Sequence, residues 1–209
     1  MGSQPVWTGR NPATVGIPDG FDLDVNTLLG SCCLEKTIHG LIEIWADTEI
    51  FRMKWARWVL EDLDTFERRR DVASDIVAGI KRQGLFELLK HGNPSLTSLR
   101  NAGKSTAGRI GCVYLVFYDF HDPDGIHTWR KVYAGTSTAF RDRRKAHRWI
   151  RKMTGRNKNT QRVSALKMFP LCRLEGNDTY NFRLRLLMEQ CAVAMWNLQV
   201  GSKTASFPV

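Results

Sequence analysis

Cysteine is scarce and unpatterned in this chain: five residues, Cys32, Cys33, Cys112, Cys172 and Cys191, with no C-x-x-C spacing. An odd, scattered set argues against a disulfide framework and against a zinc site. No apolar run approaches the roughly 18 residues that a membrane-spanning helix needs. The N-terminus also lacks the basic, apolar and small-residue segments of a secretory signal. An intracellular protein is expected. A mostly disordered chain is excluded as well, because 43% of the residues are hydrophobic and seven are tryptophan.

Acidic residues are the other shortage, confined to one half. Residues 1–100 hold 12 Lys and Arg against 14 Asp and Glu, whereas residues 101–209 hold 19 against 7. Between Trp129 and Arg173 there are 14 basic residues and one acid, Asp142. Segregation on this scale focuses a positive field and favours a polyanion. Affinity from such a patch falls with salt, because phosphate contacts release counterions.

The two halves also differ in pattern. Residues 1–24, rich in Gly, Pro and Asp, read as an irregular arm. From Val25 to about Lys90 the period is helical: Leu34, Ile38, Leu41, Ile42 and Trp45 recur at three and four, and Ile50, Met53, Trp58 and Leu60, then Val72, Ile76, Ile80, Leu85, Leu88 and Leu89, suggest further helices. Glu61 to Asp71 is mostly charged and reads as exposed. His91 to Arg109, with its glycines, Pro94 and several Ser and Thr, reads as a linker, placing a boundary near residue 100. Within it, Gly103-Lys104-Ser105-Thr106 mimics the end of a phosphate-binding loop. That loop needs a glycine five places earlier, where Ser98 stands, and a preceding strand.

After Ile110 the period changes. Cys112 to Phe117 is a β-favouring run, Pro123-Asp124-Gly125 a turn, and Trp129 to Ala134 a second strand. Thr138 is placed to cap a helix running to about Met153. Val163 to Leu174 supplies a third strand, with Pro170 marking an edge or bulge, and Leu184 to Leu198 an apolar helix. An α+β domain with a three-stranded antiparallel sheet flanked by helices is expected over residues 101–209, preceded by a helical region over 25–100 of unassigned role.

Two tyrosine segments lie in this half, Cys112-Val113-Tyr114-Leu115-Val116 and Tyr133-Ala134-Gly135, followed at set distances by Phe140, Arg143 and His147. Over about residues 110–200 the chain resembles the GIY-YIG nuclease superfamily: a tyrosine strand, a Y-x-G strand, then an arginine and a histidine one turn apart on the next helix. It departs from that pattern with Cys112 for the first glycine (Gly111 stands one place earlier), Val113 for isoleucine, and Ala134 in the second motif. The order β-β-α-β-α is similar to the family's small fold.

The resemblance implies a metal-dependent endonuclease that hydrolyses DNA phosphodiesters, with RNA left open. It implies Tyr114 as the base or water-orienting phenol, Tyr133 ordering the same water or phosphate, Arg143 against the phosphate, and His147 assisting Tyr114 near neutral pH. Lys131 is expected to help favour the Tyr114 phenolate, and Gly135 to let backbone approach closely. Glu189 would hold one Mg²⁺ or Mn²⁺ ion. Asn197 is the candidate for an asparagine the family often carries beyond that glutamate. Arg141, Arg144, Lys145, Arg148, Arg151 and Lys152, on the same helix, are candidate phosphate grips.

Blander readings stand beside these. A strand tyrosine is commonly a core residue, and a run of arginines a solvated face. Glu189, the one acid after Asp178, sits in an apolar stretch, where a carboxylate needs a partner; a cation, Arg183 or Arg185 would each serve. The competing function is a nucleic-acid-binding or scaffold protein that kept the fold and lost the activity. Residues 25–100 are open to a protein partner, and the oligomeric state is undetermined by the sequence.

Overall fold

The computed structural model describes residues 34–47, 59, 63–90, 94–121, 128–154, 162–196 and 198. The expected irregular arm, the Ile50–Met53–Trp58–Leu60 segment, the Pro123-Asp124-Gly125 turn and Asn197 lie outside these residues.

Helix α1 spans Leu34–Asp47, α2 Phe66–Gln83, α3 Phe86–Leu89 and α4 Leu96–Ala102. Strands β1 (Cys112–His121) and β2 (Thr128–Ser137) precede α5 (Phe140–Thr154), and β3 (Arg162–Arg173) precedes α6 (Thr179–Trp196). The class is α+β: a three-stranded antiparallel sheet in the order β2-β1-β3, with a helical N-terminal region.

Three of the helices, α2, α4 and α6, start where backbone N–H groups find side-chain acceptors. The Thr65 hydroxyl accepts from Arg68 N at 3.3 Å, Ser95 Oγ from Ser98 N at 3.1 Å, and Asp178 Oδ1 from Asn181 N at 2.8 Å. Helix α5 begins differently: Phe140 N donates to Ile110 O at 3.1 Å and Arg141 N to Gly108 O at 3.2 Å. Carbonyls from before β1 thus satisfy its first donors, and α5 starts at Phe140 rather than being capped by Thr138. Helix α2 ends at Gly84, whose φ of 77° lies in the left-handed region that glycine adopts freely.

Side chains of β1 alternate between two cores, as a pleated strand requires. Val113, Leu115 and Phe117 face the larger core with α1, α2 and α6. Cys112, Tyr114, Val116 and Tyr118 face a smaller one closed by Phe140 and Met168. Where β1 meets β3 the register slips between Val113 and Tyr114, which brings Pro170 opposite Tyr114. A proline on an edge strand beside a slip removes a donor the ladder can spare.

Two stretches differ from their sequence reading. Glu61 to Asp71 is not simply exposed: Leu63 is buried, and Arg69 is buried between α1 and α2, donating to Leu63 O at 2.8 Å and pairing with Glu43 at 2.6 Å. A charged side chain that gains such partners can leave water. Nor is 91–109 a bare linker. It contains α4, and Gly103 packs so closely on Phe169 that a Cβ would stand 2.4 Å from the ring. Buried residues from Leu34 to Leu99 share one continuous core with the sheet and α6.

Candidate functional site

The site is built on the α5 face of the hairpin. Tyr114 stands opposite Gly135 across the β1–β2 ladder, and Val116 opposite Tyr133, so Tyr114, Tyr133 and Gly135 share that face. A Cβ on Gly135 would lie 2.6 Å from the Tyr114 oxygen. The glycine therefore makes room for a side chain, the Tyr114 phenol, and not for a backbone as expected.

Helix α5 lies over this face and brings two side chains, four residues apart, onto the phenol. Arg143 Nε donates to the Tyr114 oxygen at 3.2 Å, and His147 Nε2 lies 3.2 Å from the same atom. The other ring nitrogen, Nδ1, is hydrogen-bonded to the hydroxyl of Tyr118. The imidazole is thus held between two phenols. Arg143 and His147 on α5 thus converge with Tyr114, about thirty residues upstream, on one oxygen.

Burial decides the protonation states. It raises the phenol of Tyr114 above its ordinary value, while the hydrogen bond and charge of Arg143 pull it back down. Tyr118 and Tyr133 are raised by burial as well. His147 is lowered to about 4, first by burial and then by the Arg143 guanidinium. It is therefore neutral at physiological pH, and the expected titration near neutrality is corrected by the cation placed beside it.

Glu189 comes from α6, on the other face. It accepts from both the hydroxyl and the backbone N–H of Thr136 on β2, an edge strand, and feels the charge of Arg143. Although these interactions favour the ionised form, burial outweighs them and lifts its pKa to about 7. Its residue exposure is 9%, and among the described residues no basic side chain pairs with it. Arg185 is engaged elsewhere, its Nη1 donating to Leu174 O at 2.7 Å and Gly176 O at 2.8 Å.

A buried carboxylate of this kind fits a divalent cation. No group of three or more His, Cys, Asp and Glu occurs among the described residues, so a cation here would have one protein carboxylate and keep its waters, the habit of Mg²⁺.

The remaining candidates are placed less uniformly. Tyr133 packs edge-on to Tyr118, ring centroids 5.8 Å apart, two pairs along the ladder from Tyr114. Lys131 is not brought to Tyr114: it pairs with Tyr118 and its ammonium lies 5.5 Å from the centroid of Phe120. Four residues of strand from Gly135 is about 13 Å, too far to act on the Tyr114 phenol. Arg141, Lys145 and Arg148 are exposed on α5. Arg144 is spent on the 103–110 segment, donating to Ser105 Oγ at 2.6 Å and Thr106 O at 3.0 Å. Those bonds also hold the Gly103-Lys104-Ser105-Thr106 stretch in a structural role. The side chains of Arg151 and Lys152 lie outside the described residues.

Two site residues escaped the sequence reading, Tyr118 and Thr136. Tyr118 had a usable signal: four residues after Tyr114 in a strand, it must share the same face. Thr136 had none, since its contact depends on where α6 docks.

Scans of protein-family models, of curated proteins and of solved structures each returned no match to this chain. Among the described residues no helix is long and apolar enough to cross a membrane.

Proposed function

We propose that this protein is a metal-dependent endonuclease of the GIY-YIG type, cleaving phosphodiesters of DNA. The observation that carries the reading is the convergence of Arg143 Nε and His147 Nε2 on the Tyr114 oxygen, 3.2 Å from each, beside a glycine that leaves it room.

In this reading the exposed face of α5 grips the nucleic acid through Arg141, Lys145 and Arg148, and Arg143, its Nε still on the Tyr114 oxygen, offers its two terminal nitrogens to the scissile phosphate. Tyr114, having given its own proton to solvent, orients a water as the phenolate and takes its proton; the water oxygen bonds to phosphorus as the bond to the leaving oxygen breaks, and the leaving oxygen is protonated by solvent. Arg143 meets the charge that develops on the phosphoryl oxygens, a two-pronged task suited to a guanidinium. His147, neutral and hydrogen-bonded to Tyr114, holds the phenol in line. Glu189 would hold one Mg²⁺ or Mn²⁺, which when bound supplies positive charge to the phosphate.

The test is cleavage of plasmid, branched and single-stranded DNA, and of RNA, by the full chain with Mg²⁺ or Mn²⁺ and with chelator. Metal-dependent cutting of DNA is expected. Salt-sensitive binding without cutting under any metal would instead mark a binding protein and sink the nuclease reading.

A further inference from the structure

The imidazole of His147 has a phenol at each nitrogen, the Tyr114 oxygen at Nε2 and the Tyr118 hydroxyl at Nδ1. A neutral imidazole carries one N–H and one lone pair, so these two contacts must run in opposite senses. We propose that Tyr118 is a positioning residue: its hydroxyl donates to Nδ1, which leaves the ring proton on Nε2, aimed at the Tyr114 oxygen. The inference deepens the nuclease reading and rests on it for its catalytic consequence.

The geometry selects this sense over its reverse. Tyr114 already receives one donor, Arg143 Nε, at 3.2 Å. With Nε2–H donating as well, two donors converge on the atom that must gather negative charge, and the Tyr114 proton points away from both. In the reverse sense the Tyr114 O–H would be spent on Nε2, and any proton passed inward would create an imidazolium beside the Arg143 guanidinium. Burial and that charge, which hold the ring near pKa 4, oppose such a transfer.

Tyr118 is suited to the donor role. It is 6% exposed and packed edge-on to Tyr133 at 5.8 Å, so its orientation is fixed by its surroundings. Burial and the neighbouring phenols keep it protonated. Neither Tyr118 nor His147 gains or loses a proton in the reaction: Tyr114 gives its own proton to solvent, and the phenolate then takes one from the water. Tautomer control by the partner of the far nitrogen is a general property of histidine sites.

The experiment uses the ¹⁵N-labelled full chain and reads which ring nitrogen of His147 carries the proton. The five histidines are told apart with a His147→Gln variant. Protonated Nε2 is expected in the wild type, and a mixture of tautomers in Tyr118→Phe. In cleavage assays Tyr118→Phe should lose roughly 10- to 100-fold in kcat, the usual effect of losing an outer-shell partner, with little change in KM. In the His147→Gln background, where an amide N–H can donate to Tyr114 unaided, the further loss from Tyr118→Phe should shrink to nearly nothing. A wild-type ring protonated on Nδ1, or a tautomer indifferent to Tyr118→Phe, overturns the assignment. If Tyr118→Phe fails to fold, the wild-type tautomer alone decides it. A wild type that cuts no substrate while its tautomer answers to Tyr118 overturns the nuclease reading and leaves the hydrogen-bond assignment standing.

Discussion

Tyr114 and Gly135 face each other across the β1–β2 ladder, and a methyl group on Gly135 would come within 2.6 Å of the Tyr114 oxygen. Gly135→Ala should therefore cost about 1–3 kcal/mol by overpacking and push the hydroxyl off Arg143 and His147. Urea unfolding of both single variants and the double variant checks this. In a Tyr114→Ala background, where the clash partner is gone, the Gly135→Ala penalty should largely vanish; an unchanged penalty would mean that Gly135 serves the backbone instead.

Tyr114→Phe removes one oxygen and preserves volume, so folding should survive while cleavage collapses. Tyr133→Phe should do less, because Tyr133 lies two pairs along the ladder and contacts Tyr118. A folded Tyr114→Phe enzyme that cuts at wild-type rate would move the base elsewhere.

Arg143→Ala should lower the rate by on the order of 10²–10³, the usual loss for one transition-state stabiliser. Arg143→Lys should rescue little, since lysine lacks the fork. Arg148→Ala, on the exposed face, should weaken DNA binding and its salt slope while leaving the rate at saturating DNA nearly intact. Equal damage from the two alanine variants at saturation would show that the wrong arginine has been matched to the phosphate.

Glu189 should make the metal-free protein less stable as pH rises. Its pKa is raised from 4.5 to about 7 in the folded state, so its contribution is fully present below pH 4.5 and lost as pH climbs through 7. At about 1.4 kcal/mol per pKa unit, the span is on the order of 3 kcal/mol. Unfolding midpoints in chelator and in Mg²⁺, from about pH 5 to 8, should diverge toward the alkaline end. Glu189→Gln should flatten the chelator curve, abolish the effect of Mg²⁺, and abolish cleavage while sparing DNA binding. Coincident curves at the alkaline end would remove the cation from this site.

His147 carries the opposite sign. Its pKa is depressed from 6.5 to about 4, so its stabilisation is present above pH 6.5 and is lost as pH falls through 4. Between pH 6 and 8 it does not titrate, and His147→Ala should reduce cleavage by the same factor across that range. A reduction that grows toward pH 6 would restore a titrating imidazole.

How far the sequence disclosed all this depended on the range of the interactions involved. The hairpin, β3 and α6 were legible because β-favouring runs and a long apolar stretch are local signals. The start of α5 was not, because its first N–H groups are met by carbonyls of Gly108 and Ile110, some thirty residues upstream. Charge misled at Arg69, whose partners come from α1. Lys131 was drawn to Tyr114 by being on the right strand, although the register sets it opposite Tyr118.

The core itself runs across residue 100. Leu34, Ile38, Leu41, Val72, Ile76 and Ile80 are buried in the same core as Val113, Phe169 and Met188, so the charge step does not mark a structural joint. A fragment of residues 101–209 would expose that face of the sheet to water, and should aggregate or bind hydrophobic dyes. Binding studies belong on the full chain.

Arg185 stands one helical turn before Glu189 on α6 and grips the two carbonyls, Leu174 and Gly176, that follow β3. The height of the Glu189 carboxylate is therefore gauged from the end of β3, as a shelf is by its bracket, and not from the exposed residues between. Insertions at 177–178 can lengthen that connection without moving the carboxylate. Loosening the bracket, as in Arg185→Leu, would let the helix turn and shift the Glu189 carboxylate from a distance.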